Sequence, residues 1–225
     1  MHNENYAENT AVALRTRLRQ ARAALPEEAR ARGALLMRAR LFTWSNLARE
    51  ALAEAGQPLK RIAAFWPLAD EPDLRPLLEQ WVLAGYEVCL PVIAQRDAAL
   101  EFRLWTPAAA MRAGVHGIAE PADGAVVQPD VILVPTLGYT LAADRLGYGG
   151  GYYDRTLAAL HDQGIDPITI GVAWTEGLLP DDYAPAAHDF PLDAILTPEG
   201  WVPDAPLGTG GTAHGSAGVQ RFLLN

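Results

Sequence analysis

Apolar residues recur along this chain in two rhythms, one of helices and one of buried strands. From Thr10 they fall at Leu14, Leu18, Ala21 and Leu25, steps of four, three and four, which predict a helix with one apolar stripe. Arg15, Arg19 and Arg22 form a second stripe beside it. Such a stripe is usually a solvated face, and an anion-binding edge is the alternative. Pro26 opens a second helix as a first-turn proline, with Glu27 and Glu28 at the end where acidic residues suit the helix dipole. A third helix is predicted over Trp44 to Ala55, stopped by Gly56. Residues 1–9 carry no pattern and are expected to be loose.

The rhythm then changes. Arg61 to Trp66 reads as a first strand closed by Pro67, and the turn Ala69-Asp70-Glu71-Pro72-Asp73 opens a helix to about Ala84 with Gly85 as its terminator. Glu87 to Ile93 and Leu100 to Trp105 are further strands. Thr106 to Pro129, richer in Ala, Gly and Pro, is predicted to be connecting structure with a turn at Glu120-Pro121. Val131 to Leu137 and Pro167 to Trp174 are near-continuous apolar runs, the mark of strands buried on both faces. A helix over Tyr152 to His161 lies between them, and Ala194 to Thr197 is a short late strand. Strand, helix, strand in this order predicts an α/β domain with a largely parallel sheet covered on both faces. The domain is placed at residues 10–202, followed by a flexible tail over 203–225, where Leu207 to Gly218 has no core-forming pattern.

Composition narrows the function. Half of the 225 residues are hydrophobic and a fifth charged, and no apolar run approaches a membrane span or a signal core, so a cytoplasmic protein without a membrane partner is expected. The net charge of −9 argues against nucleic acid as the main partner. Cys89, the single cysteine, sits in an apolar strand-like run and reads as a buried structural thiol that suits a reducing compartment. The five histidines are dispersed and predict no histidine metal cluster; His188, beside Asp189, is the one of interest.

The most distinctive stretch is Arg145-Leu146-Gly147-Tyr148-Gly149-Gly150-Gly151-Tyr152-Tyr153-Asp154. Backbone this bare adopts positive φ and approaches a ligand closely, and where it feeds a helix start the unpaired amides converge on one point, which suits phosphate. A plain tight turn is the competing reading. The flanks weigh against it, because a turn needs neither the fork-shaped cation of Arg145, nor the rings of Tyr152 and Tyr153, nor the Asp154 carboxylate. The loop matches neither a P-loop nor a complete GxGxxG element. Ligands of open parallel sheets collect at the carboxyl ends of the strands, so Asp70-Glu71, the loop 145–154 and the segment Thr175 to Asp193 are expected to meet in one cleft.

Together these residues resemble the 5-formyltetrahydrofolate cyclo-ligases, also called methenyltetrahydrofolate synthetases. The glycine loop carries the likeness, with support from Leu14-Arg15, Asp70-Glu71-Pro72-Asp73, His188-Asp189, Leu192-Asp193 and Ile195-Leu196-Thr197, in order over about Ala11 to Glu199. The resemblance implies a three-layer α/β/α fold with the N-terminal helices packed against the sheet. It also implies an ATP- and Mg²⁺-dependent ring closure of 5-formyltetrahydrofolate to 5,10-methenyltetrahydrofolate; separately, a monomer is expected. The resemblance assigns Arg15, Arg145, Leu146, Gly147, Tyr148, Gly149, Gly150, Gly151, Tyr152 and Tyr153 to ATP. Trp66, Glu71, Tyr148, the three following glycines and Tyr152 go to the folate, Arg145 and Tyr152 to catalysis, and Asp154 and Asp189 to the metal. Arg19 and Arg22 keep the solvated-face reading. For Asp154 the alternative role is a helix-dipole carboxylate, for Asp189 a turn former, and for Glu71 a place in the first turn of the next helix.

The chain departs from the family pattern at Ala11 (lysine), Thr140 (aspartate), Ala143 (glycine), Trp174 (phenylalanine) and Gly177 (glutamine). Ala11 and Gly177 motivate a second reading, a non-catalytic nucleotide- or folate-binding relative. A third is an ATP-dependent enzyme of the same fold acting on another formylated or amide substrate.

Overall fold

The computed structural model of the chain describes residues 2–207, with side chains from residue 11 onward. In chain order the main elements are α1 (His2–Ala23), α2 (Glu27–Glu54), β1 (Arg61–Ala63), α3 (Arg75–Leu83), β2 (Glu87–Val92), β3 (Glu101–Trp105), β4 (Met111–Ala113), β5 (Ala119–Pro121), β6 (Val131–Pro135), β7 (Gly138–Tyr139), β8 (Arg145–Leu146), α4 (Tyr152–Asp162), β9 (Ile168–Val172), β10 (Ala194–Leu196) and β11 (Trp201–Val202). Among the described residues no helix is long and apolar enough to cross a membrane.

Seven strands form the central sheet in the order β11-β10-β9-β6-β1-β2-β3. The five inner strands are parallel, and only the two edges pair antiparallel. The β6 and β9 runs lie side by side at the centre, with Leu133 opposite Ile170, which explains their continuous apolar character. Alternate side chains divide between two layers. Ile62, Val88, Leu133 and Ile170 face Met37, Leu41 and Trp44 of α2 and Leu77, Leu78 and Trp81 of α3. Ala63, Cys89, Ile132 and Val134 face Leu157 of α4. The result is the expected α/β/α arrangement, and Cys89 is buried within it. That burial pushes the thiol up to about 12.

The helical region differs from expectation in two ways. Neither glycine nor proline interrupts residues 2–23, and α1 begins at His2 instead of Thr10. The predicted second and third helices are one helix of 28 residues, because the buried stripe Ala34, Met37, Leu41, Trp44, Ala48 and Leu52 runs through without losing phase. Its end at Gly56, with φ 76°, is where the sequence places it. Ser45, fully buried on this helix, accepts the Trp81 Nε1–H at 2.9 Å, so the polar pair is satisfied inside the core.

α1 covers neither face of the sheet. Leu14 and Leu18 pack on Leu137, Leu146 and Leu179, just past the carboxyl ends of the central strands, which sets the arginine stripe above the glycine loop. At the other end of the chain, Ala205 and Leu207 pack against the core and Trp44 Nε1 donates to the Pro206 carbonyl at 2.7 Å. Residues 203–207 of the expected tail thus belong to the packed body, and 208–225 lie outside the described residues.

Candidate active site

A cavity of about 480 Å³ opens at the carboxyl ends of the parallel strands. The three expected segments all reach it: Glu71 after β1, the loop 145–154, which begins with β8, and His188-Asp189 before β10. Arg15 and Arg19 of α1 complete one wall. The opposite wall was not foreseen. It is a small hairpin, β4 paired with β5, whose tip Gly114–Ile118 contributes Val115 and His116. The turn predicted at Glu120-Pro121 is in fact part of β5; the reversal sits at 114–117, where Gly114 N–H donates to Ile118 O and Gly117 has φ 72°.

The glycine loop is held from outside through its carbonyls. Arg15 Nε donates to Gly147 O at 2.9 Å, Arg19 Nη2 to Tyr148 O at 3.3 Å, and Arg155 Nη2 to Gly150 O at 2.8 Å. Gly149 has φ 95°, and Gly151 enters α4 at φ 63° with no side-chain cap, so the first amides of α4 are the uncapped donors of a helix start. A Cβ on Gly147 would lie 2.4 Å from Arg145 Nη1, which favours glycine there. Leu146 anchors the loop in the α1 cluster, and the Tyr152 ring stands between His116 and Arg155 at 5.8 and 5.0 Å.

Arg145 is almost fully buried. Its Nη2 bridges both oxygens of Asp154, at 2.8 and 2.9 Å, which fixes the carboxylate one turn into α4. Arg145 Nε and the hydroxyl of Tyr153 are both buried without a partner. Burial drives the Tyr153 phenol well above its ordinary range, with the nearby Glu71 charge adding to the shift, so this hydroxyl stays protonated and can donate a hydrogen bond.

Asp189 Oδ2 accepts Ala186 N–H at 2.8 Å, the turn-forming role, while its Oδ1 lies 3.9 Å from Nε2 of the exposed His188. Among the described residues no three His, Cys, Asp or Glu side chains cluster as a metal cage. Two carboxylates on one cavity nonetheless fit Mg²⁺, a hard ion that keeps waters and is held by one or two carboxylates together with phosphate oxygens.

The cavity also has an apolar lining, with Phe65, Leu68, Ile93 and Trp66, the last packed edge-on against Trp105 at 6.3 Å. Two buried carboxylates interrupt it. Glu120 Oε1 accepts both Arg112 Nε and Nη2, at 3.0 and 2.9 Å. Glu71, 8% exposed, lies before α3 and not in its first turn; Leu68 N–H donates to its Oε2 at 2.7 Å and Tyr148 O–H to its Oε1. Burial raises the Glu71 carboxyl above its ordinary 4.5, and the hydrogen bonds and the Arg22 charge oppose that rise.

Arg22 overturns the solvated-face expectation. It is 6% exposed, forks onto Asp70 at 2.8 and 2.9 Å, and donates its third N–H to the Tyr148 hydroxyl. Arg22 faces the 70–71 turn, because α1 sits across the strand ends, whereas Arg19 stays exposed and reaches the loop only at Tyr148 O. Trp174 supports the same turn, its Nε1–H donating to Asp70 O at 2.8 Å; Gly33 makes room for its ring, since a Cβ there would meet Trp174 at 2.7 Å.

The remaining departures lie away from the cavity. Ala11 packs with the Leu14 cluster, and a Cβ at Gly177 would come within 2.8 Å of Leu137 O. Ala143 holds φ 65° in a turn closed by Thr140 Oγ1 and Asp144 Oδ2 at 2.9 Å, a backbone conformation that favours glycine.

The model of the 5-formyltetrahydrofolate cyclo-ligase family matches residues 7–198. A 5-formyltetrahydrofolate cyclo-ligase from Mycolicibacterium smegmatis is 32% identical over 196 residues, covering 83% of this chain and 92% of the relative. The protein of that name from Escherichia coli is 34% identical over 143 residues, 61% of this chain and 77% of its own length. The NMR structure of Aquifex aeolicus 5,10-methenyltetrahydrofolate synthetase superposes with a TM-score of 0.66 at 28% identity, covering 92% of this chain and 98% of that one. The synthetase of Mycoplasma pneumoniae, 23% identical, shares the fold with a TM-score of 0.62 over 84% of this chain and 98% of its own. With the family model matching residues 7–198 and a relative 32% identical over 83% of the chain, this chain belongs to the 5-formyltetrahydrofolate cyclo-ligase family of enzymes.

Proposed function

We propose that this protein closes 5-formyltetrahydrofolate to 5,10-methenyltetrahydrofolate with conversion of ATP to ADP and phosphate. The observation that carries the reading is that one cavity is lined by two chemically distinct sets of residues. The glycine loop, Arg15 and Arg145 suit a polyphosphate, while the apolar lining with Glu71 suits a flat ring bearing N–H donors.

The chemistry asks for positioning more than for a protein nucleophile. The formyl oxygen attacks the γ-phosphorus and ADP leaves. The N10 amine then attacks the activated formyl carbon, N10 gives up its proton, and the formyl oxygen departs within inorganic phosphate. Arg145 and the loop amides are placed to stabilise charge on the transferred phosphoryl group. Tyr148, Tyr152 and the backbone of Gly149–Gly151 line the same cavity and are the groups proposed to meet both the phosphate and the formyl group, and Tyr153, another lining residue, has an unpartnered hydroxyl. Leu146 and Gly147 hold the loop's entry. Trp66 supplies an apolar wall for the ring, and Glu71 accepts its N–H groups. Asp154 and Asp189 would hold Mg²⁺, which neutralises phosphate charge when bound.

The test is an assay of purified protein with 5-formyltetrahydrofolate, ATP and Mg²⁺. Methenyltetrahydrofolate absorbance should appear with one ADP per product and require both ATP and the metal. Folded protein that gives no product would refute the proposal.

A further inference from the structure

Arg22 does not line the cavity, yet three of its five N–H donors are committed to residues that do or that flank it. Nε and Nη2 hold Asp70, Nη1 donates to Tyr148, and the guanidinium lies 5.3 Å from the centre of the Tyr148 ring. A buried ion pair by itself is weak ground for a role in stability. The directionality of the contacts says more. Guanidinium has no acceptor, so the Tyr148 oxygen must accept from Arg22 and send its own proton onward, and Glu71 Oε1 receives it. Arg22 Nη1 also stands 3.9 Å from that oxygen. With Leu68 N–H on Oε2, each Glu71 oxygen is engaged once by the protein and keeps one acceptor position. The charged or titratable groups acting on Glu71 are Arg22, Asp70, Tyr148 and Tyr153.

We propose that Arg22 is a positioning residue: through Tyr148 and the Asp70-Glu71 turn it keeps Glu71 a two-oxygen acceptor for a pair of N–H donors on the substrate ring. This rests on the folate reading above. Arg22 touches no reacting atom, so its loss weakens folate binding and spares the chemical step.

The experiment measures kcat and KM for 5-formyltetrahydrofolate at saturating ATP and Mg²⁺ between about pH 6 and 8.5 for the wild type, Arg22→Lys, Arg22→Met, Tyr148→Phe and the Arg22→Met/Tyr148→Phe double variant. Arg22→Met should raise KM about tenfold, the worth of one charge-assisted hydrogen bond, with kcat within about threefold of wild type. The rise should be steeper at acid pH, because without the cation Glu71 takes up a proton more readily. Arg22→Lys restores the wild-type pH profile, since a charge remains beside Tyr148. The double variant should be no more than about twofold worse than Arg22→Met, as both changes break one relay. Should Arg22→Met fail to fold, Tyr148→Phe keeps the Arg22–Asp70 pair and must show the same acid-dependent rise. An unchanged KM, or one raised equally at every pH and additively with Tyr148→Phe, overturns the proposal while wild-type turnover leaves the folate reading standing. A wild type without turnover overturns that reading, and this one with it.

Discussion

Replacing Glu71 with glutamine separates what the residue does for binding from what it costs the fold. In the native protein its two oxygens take Leu68 N–H and Tyr148 O–H, and one acceptor position on each remains for the substrate. Glutamine keeps one acceptor oxygen, best turned toward Leu68 N–H, while the Tyr148 hydroxyl can rotate to accept from the new amide. Toward the substrate, however, the amide presents N–H where the ring also presents N–H. One hydrogen bond to a charged group is lost, about 1.5–3 kcal/mol, or about 10- to 150-fold in KM for 5-formyltetrahydrofolate. Stability should move the other way. Burial raises the native Glu71 carboxyl above its ordinary 4.5, so its favourable contribution is complete below that value and disappears as pH rises through the native pKa. Thermal unfolding should therefore show Glu71→Gln gaining on the wild type from about pH 4.5 upward and levelling off once the native carboxyl is ionised. Steady-state kinetics and a Tm series at several pH values measure the two effects. A KM within twofold of wild type would refute the acceptor role, and a Tm difference that shrinks as pH rises would refute the burial argument.

Asp154→Asn should cut kcat at least about 100-fold and leave the far-ultraviolet circular dichroism unchanged, as metal and Arg145 both lose a charged partner; retained turnover would return Asp154 to a helix-dipole role. Gly177→Ala should cost about 1–3 kcal/mol in unfolding free energy, because its Cβ would lie 2.8 Å from Leu137 O, with kcat and KM unchanged since the position is off the cavity. Cys89 should resist alkylation in the native state at pH 8 and react only on unfolding, as mass spectrometry can follow.

Much of this architecture was readable from local pattern. Val131–Pro135 and Ile168–Val172 are buried on both faces and look so in sequence, and the glycine loop signals a helix start bearing uncapped amides. What escaped depends on distant partners or on very short elements. Arg22 reads as a surface arginine because Asp70 lies 48 residues away and Tyr148 lies 126 away. The hairpin bearing Glu120 has strands of three residues, too short for alternation to register, although the Gly114/Gly117 pair around Val115 and His116 was a usable turn signal. The break expected before Trp44 ignored a stripe that keeps its phase from Ala34 to Leu52. Ala11 and Gly177 look like lost site residues in sequence, whereas in the fold one belongs to the Leu14 cluster and the other to a tight backbone approach.

The central claim is that one cavity brings the γ-phosphoryl of ATP to the formyl oxygen of the folate. The most direct measurement is single turnover with 5-formyltetrahydrofolate labelled with ¹⁸O in the formyl group, followed by mass analysis of the inorganic phosphate. One ¹⁸O is expected in each phosphate released, in step with methenyltetrahydrofolate; product formed alongside unlabelled phosphate would contradict this transfer.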